Sequence, residues 1–85
     1  SDALVEYVKA LHAIDIVHAD LAPRNIMIDR KTLSPRVIDF GKAKQISLLS
    51  PEQQETLTKQ DIENAKNIAN KLRDFLDGKI LPIKS

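Results

Sequence analysis

Ile16-Val-His-Ala-Asp20-Leu-Ala-Pro-Arg-Asn25-Ile-Met-Ile28, taken together with Val37-Ile-Asp39-Phe-Gly41, decides how this chain is read. Asp20, Asn25 and Asp39 are its critical polar side chains. Apolar residues of strand type flank them, namely Ile16-Val17, Ile26-Met27-Ile28 and Val37-Ile38. Short strands that end in carboxylates and an amide can aim several oxygen atoms at one point. An oxygen-only donor set suits a hard cation such as Mg2+, which is shared between a few protein groups and substrate phosphates. Residue type alone goes no further than a small polar site at strand ends.

Working outward, composition narrows the classes. Eighty-five residues suffice for at most one small domain with a modest core. Hydrophobic residues make up 42% and charged residues 29%, which argues for a globular protein and against a membrane protein. Thirteen basic and 12 acidic side chains leave a net charge of +1, so neither a nucleic-acid partner nor a membrane surface is indicated. The absence of cysteine excludes disulfides and thiolate zinc sites and leaves the compartment open, with the cytoplasm as default. The N-terminal stretch is acidic and amphipathic, unlike a signal peptide. No run approaches the roughly 20 apolar residues of a membrane span.

The spacing within the opening stretch carries more. His18-Ala-Asp20-Leu-Ala-Pro-Arg-Asn25 resembles the catalytic loop of protein kinases, His-Arg-Asp-Leu-x-x-x-Asn, and Asp39-Phe40-Gly41 matches their metal-binding Asp-Phe-Gly. An isolated Asp-Phe-Gly recurs by chance; one that follows a matching loop across a plausible hairpin is far more specific. Solvated polar residues at strand ends, the bland reading, do not account for the order. The resemblance implies an α+β fold: part of a kinase-like C-terminal lobe, mainly helical, with a small β-hairpin carrying both motifs. It implies one partial domain over residues 1–85, with the catalytic loop at 18–25, Asp-Phe-Gly at 39–41 and a helical segment at about 51–77.

Site roles follow from the resemblance. Asp20 orients or deprotonates the attacking hydroxyl, and Asn25 and Asp39 hold Mg2+ against the phosphates of ATP. Most serine/threonine kinases place a lysine two residues after the aspartate, where this chain has Ala22. Tyrosine-kinase loops also have alanine there and supply an arginine further along, so Arg24 is a candidate for the cation; its alternative is a surface charge. His18 is implied as a structural pin beneath the Asp-Phe-Gly turn. Ala19 replaces the arginine that clamps a phosphorylated activation segment in regulated kinases, which argues against that switch. No Ala-Pro-Glu follows, so a full protein-substrate platform is not expected. Small atypical kinases of the RIO type and some fungal kinase-like proteins are similar in this shortened region. Aminoglycoside-type phosphotransferases share the loop but usually differ after the metal-binding aspartate.

The resemblance covers the middle of one lobe. The chain's glycines are Gly41 and Gly78, so a glycine-rich loop is not among these residues, and the phosphate-pairing lysine and its glutamate have no counterpart. A missing N-terminal lobe is therefore an expected partner, and the chain reads as a fragment or an extremely reduced member. Two functions remain: an ATP- and Mg2+-dependent phosphotransferase acting on a protein or small-molecule hydroxyl, Ser/Thr-directed, with the isolated chain inactive; or a non-catalytic kinase-like remnant or binding module. A helix-rich interaction domain is a third, blander reading.

The rest of the chain supplies the frame. Ser1-Asp2 can cap a helix over Ala3–Ala13, where Leu4, Val8 and Leu11 recur on one face. His12, beside that face, reads as a structural histidine. Ile26–Ile28 and Val37–Asp39 are expected as paired strands, with a polar connector whose Ser34-Pro35 step favours a turn. Arg30, Lys31 and Arg36 read as solvated charges. Lys42–Ile46 is expected to continue as a short strand. Ser50-Pro51-Glu52-Gln53 announces a helix with a capping box. Ile62, Ala65, Ala69, Leu72 and Leu76 form its stripe, widened by Ile68 and Phe75, and Gly78 is the natural C-cap. The stripe is poor between Leu57 and Gln60, where a break is expected, with Thr58 or Asp61 restarting the helix. The tail Lys79–Lys84 is apolar enough to dock back onto the domain.

Overall fold

Leu4, Val5 and Val8 bury one face of the first helix, α1 (Ala3–Ala13), and around that face the chain closes. The computed structural model describes residues 3–32 and 34–76. In chain order there follow β1 (Ile16–Val17), a 3-10 turn (Pro23–Asn25), β2 (Ile26–Ile28), β3 (Pro35–Val37), β4 (Lys44–Gln45), a second 3-10 turn (Ile46–Leu48) and α2 (Pro51–Leu76). The strands form two antiparallel pairs. β1 lies against β4 with Ile16 opposite Gln45, and β2 lies against β3 with Ile26 opposite Val37. The core gathers Leu4, Val5, Val8, Leu21, Val37 and Ala65, with Tyr7, Ile26, Ile62 and Ile68 packed against it. Helices and small sheets thus share one core, an α+β arrangement consistent with part of a kinase-like lobe.

Helix α2 begins where its capping box predicts. Gln53 N–H donates to Ser50 Oγ at 3.2 Å, and Ser50 N–H donates to Gln53 Oε1 at 3.4 Å. The reciprocal bonds satisfy donors that a helix start would otherwise orphan. The break expected near Leu57–Gln60 does not occur; α2 is continuous. Thr58 Oγ donates to Gln54 O at 2.6 Å, one turn back, so its polar group is satisfied within the helix. Asp61 does not restart a helix. It lies on the buried face, 1% exposed, one turn before the fully buried Ala65.

The hairpin also differs from expectation. Its second strand is Pro35–Val37 and stops short of Asp39. Pro35, opposite Ile28, stands first in its strand, where the lost N–H matters least. Asp29 N–H closes the connector on Ser34 O at 3.0 Å, and Asp39 has φ 59°, outside the extended region a strand requires. The proposed caps at Ser1-Asp2 and Gly78, Leu33 in the connector, and the tail 79–84 fall outside the described residues, as do the side chains of Phe75 and Leu76. No described helix is long and apolar enough to cross a membrane.

Candidate active site

The loop between β1 and β2 is fixed from below. Asp61 Oδ2 accepts from His18 N–H at 2.8 Å, and Asp61 Oδ1 accepts from Ala19 N–H at 2.9 Å. His12 Nε2 lies 3.0 Å from the same Oδ2. A buried carboxylate needs several donors to offset its lost hydration, and here two backbone amides and an imidazole supply them. The amides gain an anchor in return, and Ala19 is held at φ 68°, a left-handed conformation that a residue with a Cβ adopts only at a cost. Asp61 has no place in the motif reading. A carboxylate inside an amphipathic pattern, one turn before a buried alanine, was the available signal.

His18, fully buried, joins the two motifs. Asp20 N–H donates to His18 Nδ1 at 3.2 Å, so Nδ1 is the unprotonated nitrogen. Nε2 therefore carries the proton and donates to Ile38 O at 3.0 Å. The ring also meets Phe40 edge-on, with centroids 4.9 Å apart at 62°. His18 thus sits against the Asp39-Phe40-Gly41 turn as a packing and hydrogen-bonding residue.

Asp20, Arg24 and Asn25 come together above it. Arg24 Nη2 donates to Asp20 Oδ1 at 3.0 Å, so Arg24 is paired with the carboxylate and not merely solvated. Asn25, only 3% exposed, donates from Nδ2 to Asp20 O at 2.8 Å and to Asp20 Oδ2 at 3.4 Å. Exchanging the amide's nitrogen and oxygen would set two oxygens against each other, which fixes the amide's orientation. Its nitrogen is committed to Asp20, leaving Oδ1 as the end that can face a ligand. The 3-10 turn Pro23–Asn25, closed by Asn25 N–H to Ala22 O at 2.9 Å, brings Arg24 and Asn25 back over Asp20.

Asp39 joins this group through the backbone. Ile38 N–H donates to Asn25 O at 2.8 Å, and Asp39 follows directly. Its exposed carboxylate accepts from Gly41 N–H at 3.2 Å through Oδ1. A Cβ at Gly41 would stand 3.2 Å from that same oxygen, so a larger residue there would press on the Asp39 carboxylate. Asn25 Oδ1 and the Asp39 carboxylate are hard oxygen donors of the kind Mg2+ takes. No cluster of three or more His, Cys, Asp or Glu able to hold a metal occurs among the described residues.

Two carboxylates outside this group, half-buried Asp15 and exposed Asp29, carry lowered pKa values. The Ser47 hydroxyl, followed by the Gln45 side chain and the Ser47 amide, holds the Asp15 carboxyl below its ordinary range. The backbone amides of Thr32 and Lys31 do the same for Asp29, which closes the connector turn, with a further contribution from Arg36.

The protein kinase domain family matches residues 2–64. The striated muscle preferentially expressed protein kinase of Danio rerio is 48% identical over 44 residues, which is 51% of this chain and 2% of that protein. Serine/threonine-protein kinase RIM11/MSD1 of Saccharomyces cerevisiae is 38% identical over 40 residues, covering 47% of this chain and 11% of the relative. Serine/threonine-protein kinase PKH1 of the same yeast is 42% identical over 41 residues, 48% of this chain and 5% of the relative. The chain therefore spans a small part of each of these proteins. No solved structure matches it at comparable significance.

Proposed function

This chain belongs to the protein kinase domain family, and we propose that residues 1–85 form the phosphoryl-transfer part of an ATP- and Mg2+-dependent phosphotransferase directed at Ser/Thr hydroxyls. The observation that carries the reading is the arrangement around Asp20: one carboxylate shared between Arg24 and Asn25, above a loop pinned to Asp61. Phosphoryl transfer asks a protein mainly for positioning and charge neutralisation, which is what fixed polar side chains provide. Asp20 orients the incoming hydroxyl and receives its proton. Arg24, paired with Asp20 and 67% exposed, is free to swing toward negative charge developing on the phosphoryl group. Asn25 Oδ1 and Asp39 hold Mg2+, which supplies charge compensation on the phosphate oxygens when bound. The Ser/Thr direction draws on the names of the yeast relatives.

On these residues alone, turnover is expected to be negligible, because no glycine-rich loop covers the phosphates and water is not excluded. The experiment uses Mn2+ with ATP as a paramagnetic probe of the 85-residue chain. The Asn25 side-chain amide and the Asp39 and Gly41 backbone amides should broaden, and Asp39→Asn should abolish this while Asp20→Asn preserves it. In a two-lobed protein carrying these residues, Asp20→Asn should lower single-turnover phosphorylation about 10²–10⁴-fold with Mg2+-ATP binding nearly intact. Broadening that ignores Asp39, or undiminished turnover in Asp20→Asn, would replace this reading with the non-catalytic kinase-like module.

A further inference from the structure

A polar cluster outside that site joins the turn after α1 to the segment after Gly41. Asp15 stands in that turn with φ 72°, and its carbonyl oxygen accepts from Ile46 N–H at 2.9 Å. Its Oδ1 accepts from Ser47 N–H at 2.9 Å, and its Oδ2 accepts from the Ser47 hydroxyl at 2.6 Å. The left-handed turn lets carbonyl and carboxylate face the same two residues, which gives a reason for aspartate to sit in a conformation most side chains avoid. Three bonds thus converge from one residue just beyond β4, whose pairing with β1 spans only two residue pairs.

We infer that Asp15 and Ser47 form a latch that positions the Asp39 turn by fixing the far end of its segment. The inference rests on the role proposed for Asp39. The near end is fixed separately: Ile38 donates to Asn25 O and accepts from His18. Between the two ends, Asp39, Phe40, Gly41 and Lys42 are all exposed, so burial restrains them little. Beyond the edge-on contact of Phe40 with His18, what holds them is a local turn, with Ala43 N–H on Phe40 O at 3.0 Å and Gly41 N–H on Asp39 Oδ1, and the anchoring of both ends. Releasing one end turns a closed segment into a loose one, whose turn bonds open as a unit. Asp15 and Ser47 therefore act on Asp39 at a distance along the chain, as positioning residues.

Residue-resolved amide hydrogen exchange on the full chain tests this. Ser47→Ala removes the hydroxyl bond and should speed exchange at Ile46 and Ser47 by about ten-fold, the scale of one charge-assisted bond. Ala43 and Gly41 should follow by about three-fold, since their turn depends on the anchor. Ser47→Thr restores the hydroxyl and should return all four amides to their original rates. Asp15→Gly suits the backbone conformation but removes the carboxylate, and should reproduce the Ser47→Ala pattern. Unchanged exchange at Ala43 and Gly41 in both Ser47→Ala and Asp15→Gly, or failure of Ser47→Thr to restore it, would overturn the latch. The measurement contains neither nucleotide nor metal, so its failure is distinct from failure of the phosphotransferase reading, which the Mn2+ experiment reports.

Discussion

The loop from His18 to Asn25 and the segment from Asp39 to Ser47 present the two carboxylates of the candidate site, yet they are held in opposite ways. The first rests on groups withdrawn from water: His18, Asn25 and Asp61 are each 3% exposed or less. The second is mostly exposed and is kept by the two-residue pairing of β4 with β1, the edge of Phe40 on His18, the bonds to Asp15 and its own turn. A buried hydrogen-bond network is costly to break because the groups left behind have no solvent to turn to. Surface bonds are exchanged for water at little cost. One carboxylate is therefore fixed in advance, while the other can adjust to what it binds.

Asp61→Ala gives the sharpest way to break this contrast. It strands two backbone amides and an imidazole beneath the loop, and should lower stability by about 3 kcal/mol or more, read as a fall in urea midpoint at constant slope. A loss below about 1 kcal/mol would mean the two regions are held alike. His18→Phe keeps a ring against Phe40 but loses the bonds at Nδ1 and Nε2, and should cost about 2 kcal/mol in the same measurement.

These two residues also show what the sequence could not disclose. The spacing of apolar residues predicts α1 with its observed bounds, and Ser50-Pro51-Glu52-Gln53 locates the start of α2, because helix faces and caps are local. Asp20, Asn25 and Asp39 stand out by motif, although their roles remain a proposal. Asp61 is hard to single out because its partners lie 42 to 49 residues away; its place inside an amphipathic pattern is the one local hint, and it does not name those partners. The break expected near Leu57–Gln60 rests on the polar residues Thr58, Lys59 and Gln60, which interrupt the apolar stripe without interrupting the helix. The end of β3 was misplaced for a related reason: Ile38 and Asp39 continue an apolar-polar alternation, but the turn at Asp39 is set by contacts with Asn25 and Gly41.

Smaller effects sharpen the comparison further. Ala19→Gly relieves the left-handed strain at φ 68° while adding freedom to the unfolded chain, for a net gain of about 0.5 kcal/mol in urea unfolding. No gain would indicate that the Asp61 bonds, not the side chain, set the strain. Asp15→Asn should have the smallest effect of the series, present near neutral pH and fading in acid, where the wild-type carboxylate is itself protonated. A lowered folded-state pKa means that Asp15 contributes stability above its ordinary value of 3.8, and that this is lost as pH falls through the lower folded value. Wild type should therefore lose the Ser47 amide's protection in that acid window, and Asp15→Asn should show a flatter profile there. A parallel acid limb in both proteins would remove Asp15 from the account of the exposed segment.

The bond from Asp61 to His18 crosses 43 residues of chain, and this has a consequence for the order in which the molecule is built. A nascent chain emerges from its N-terminus, so the His18–Asn25 stretch appears well before Asp61 does. Contacts this far apart in sequence form late, since the intervening loop must close first. The His18–Asn25 loop, with Ala19 in its strained conformation, has no reason to take its final shape until α2 has been synthesised and docked. A nascent chain that has emerged past Gly41 but not yet as far as Asp61 would display every motif residue through Asp39-Phe40-Gly41, but not the geometry that relates them.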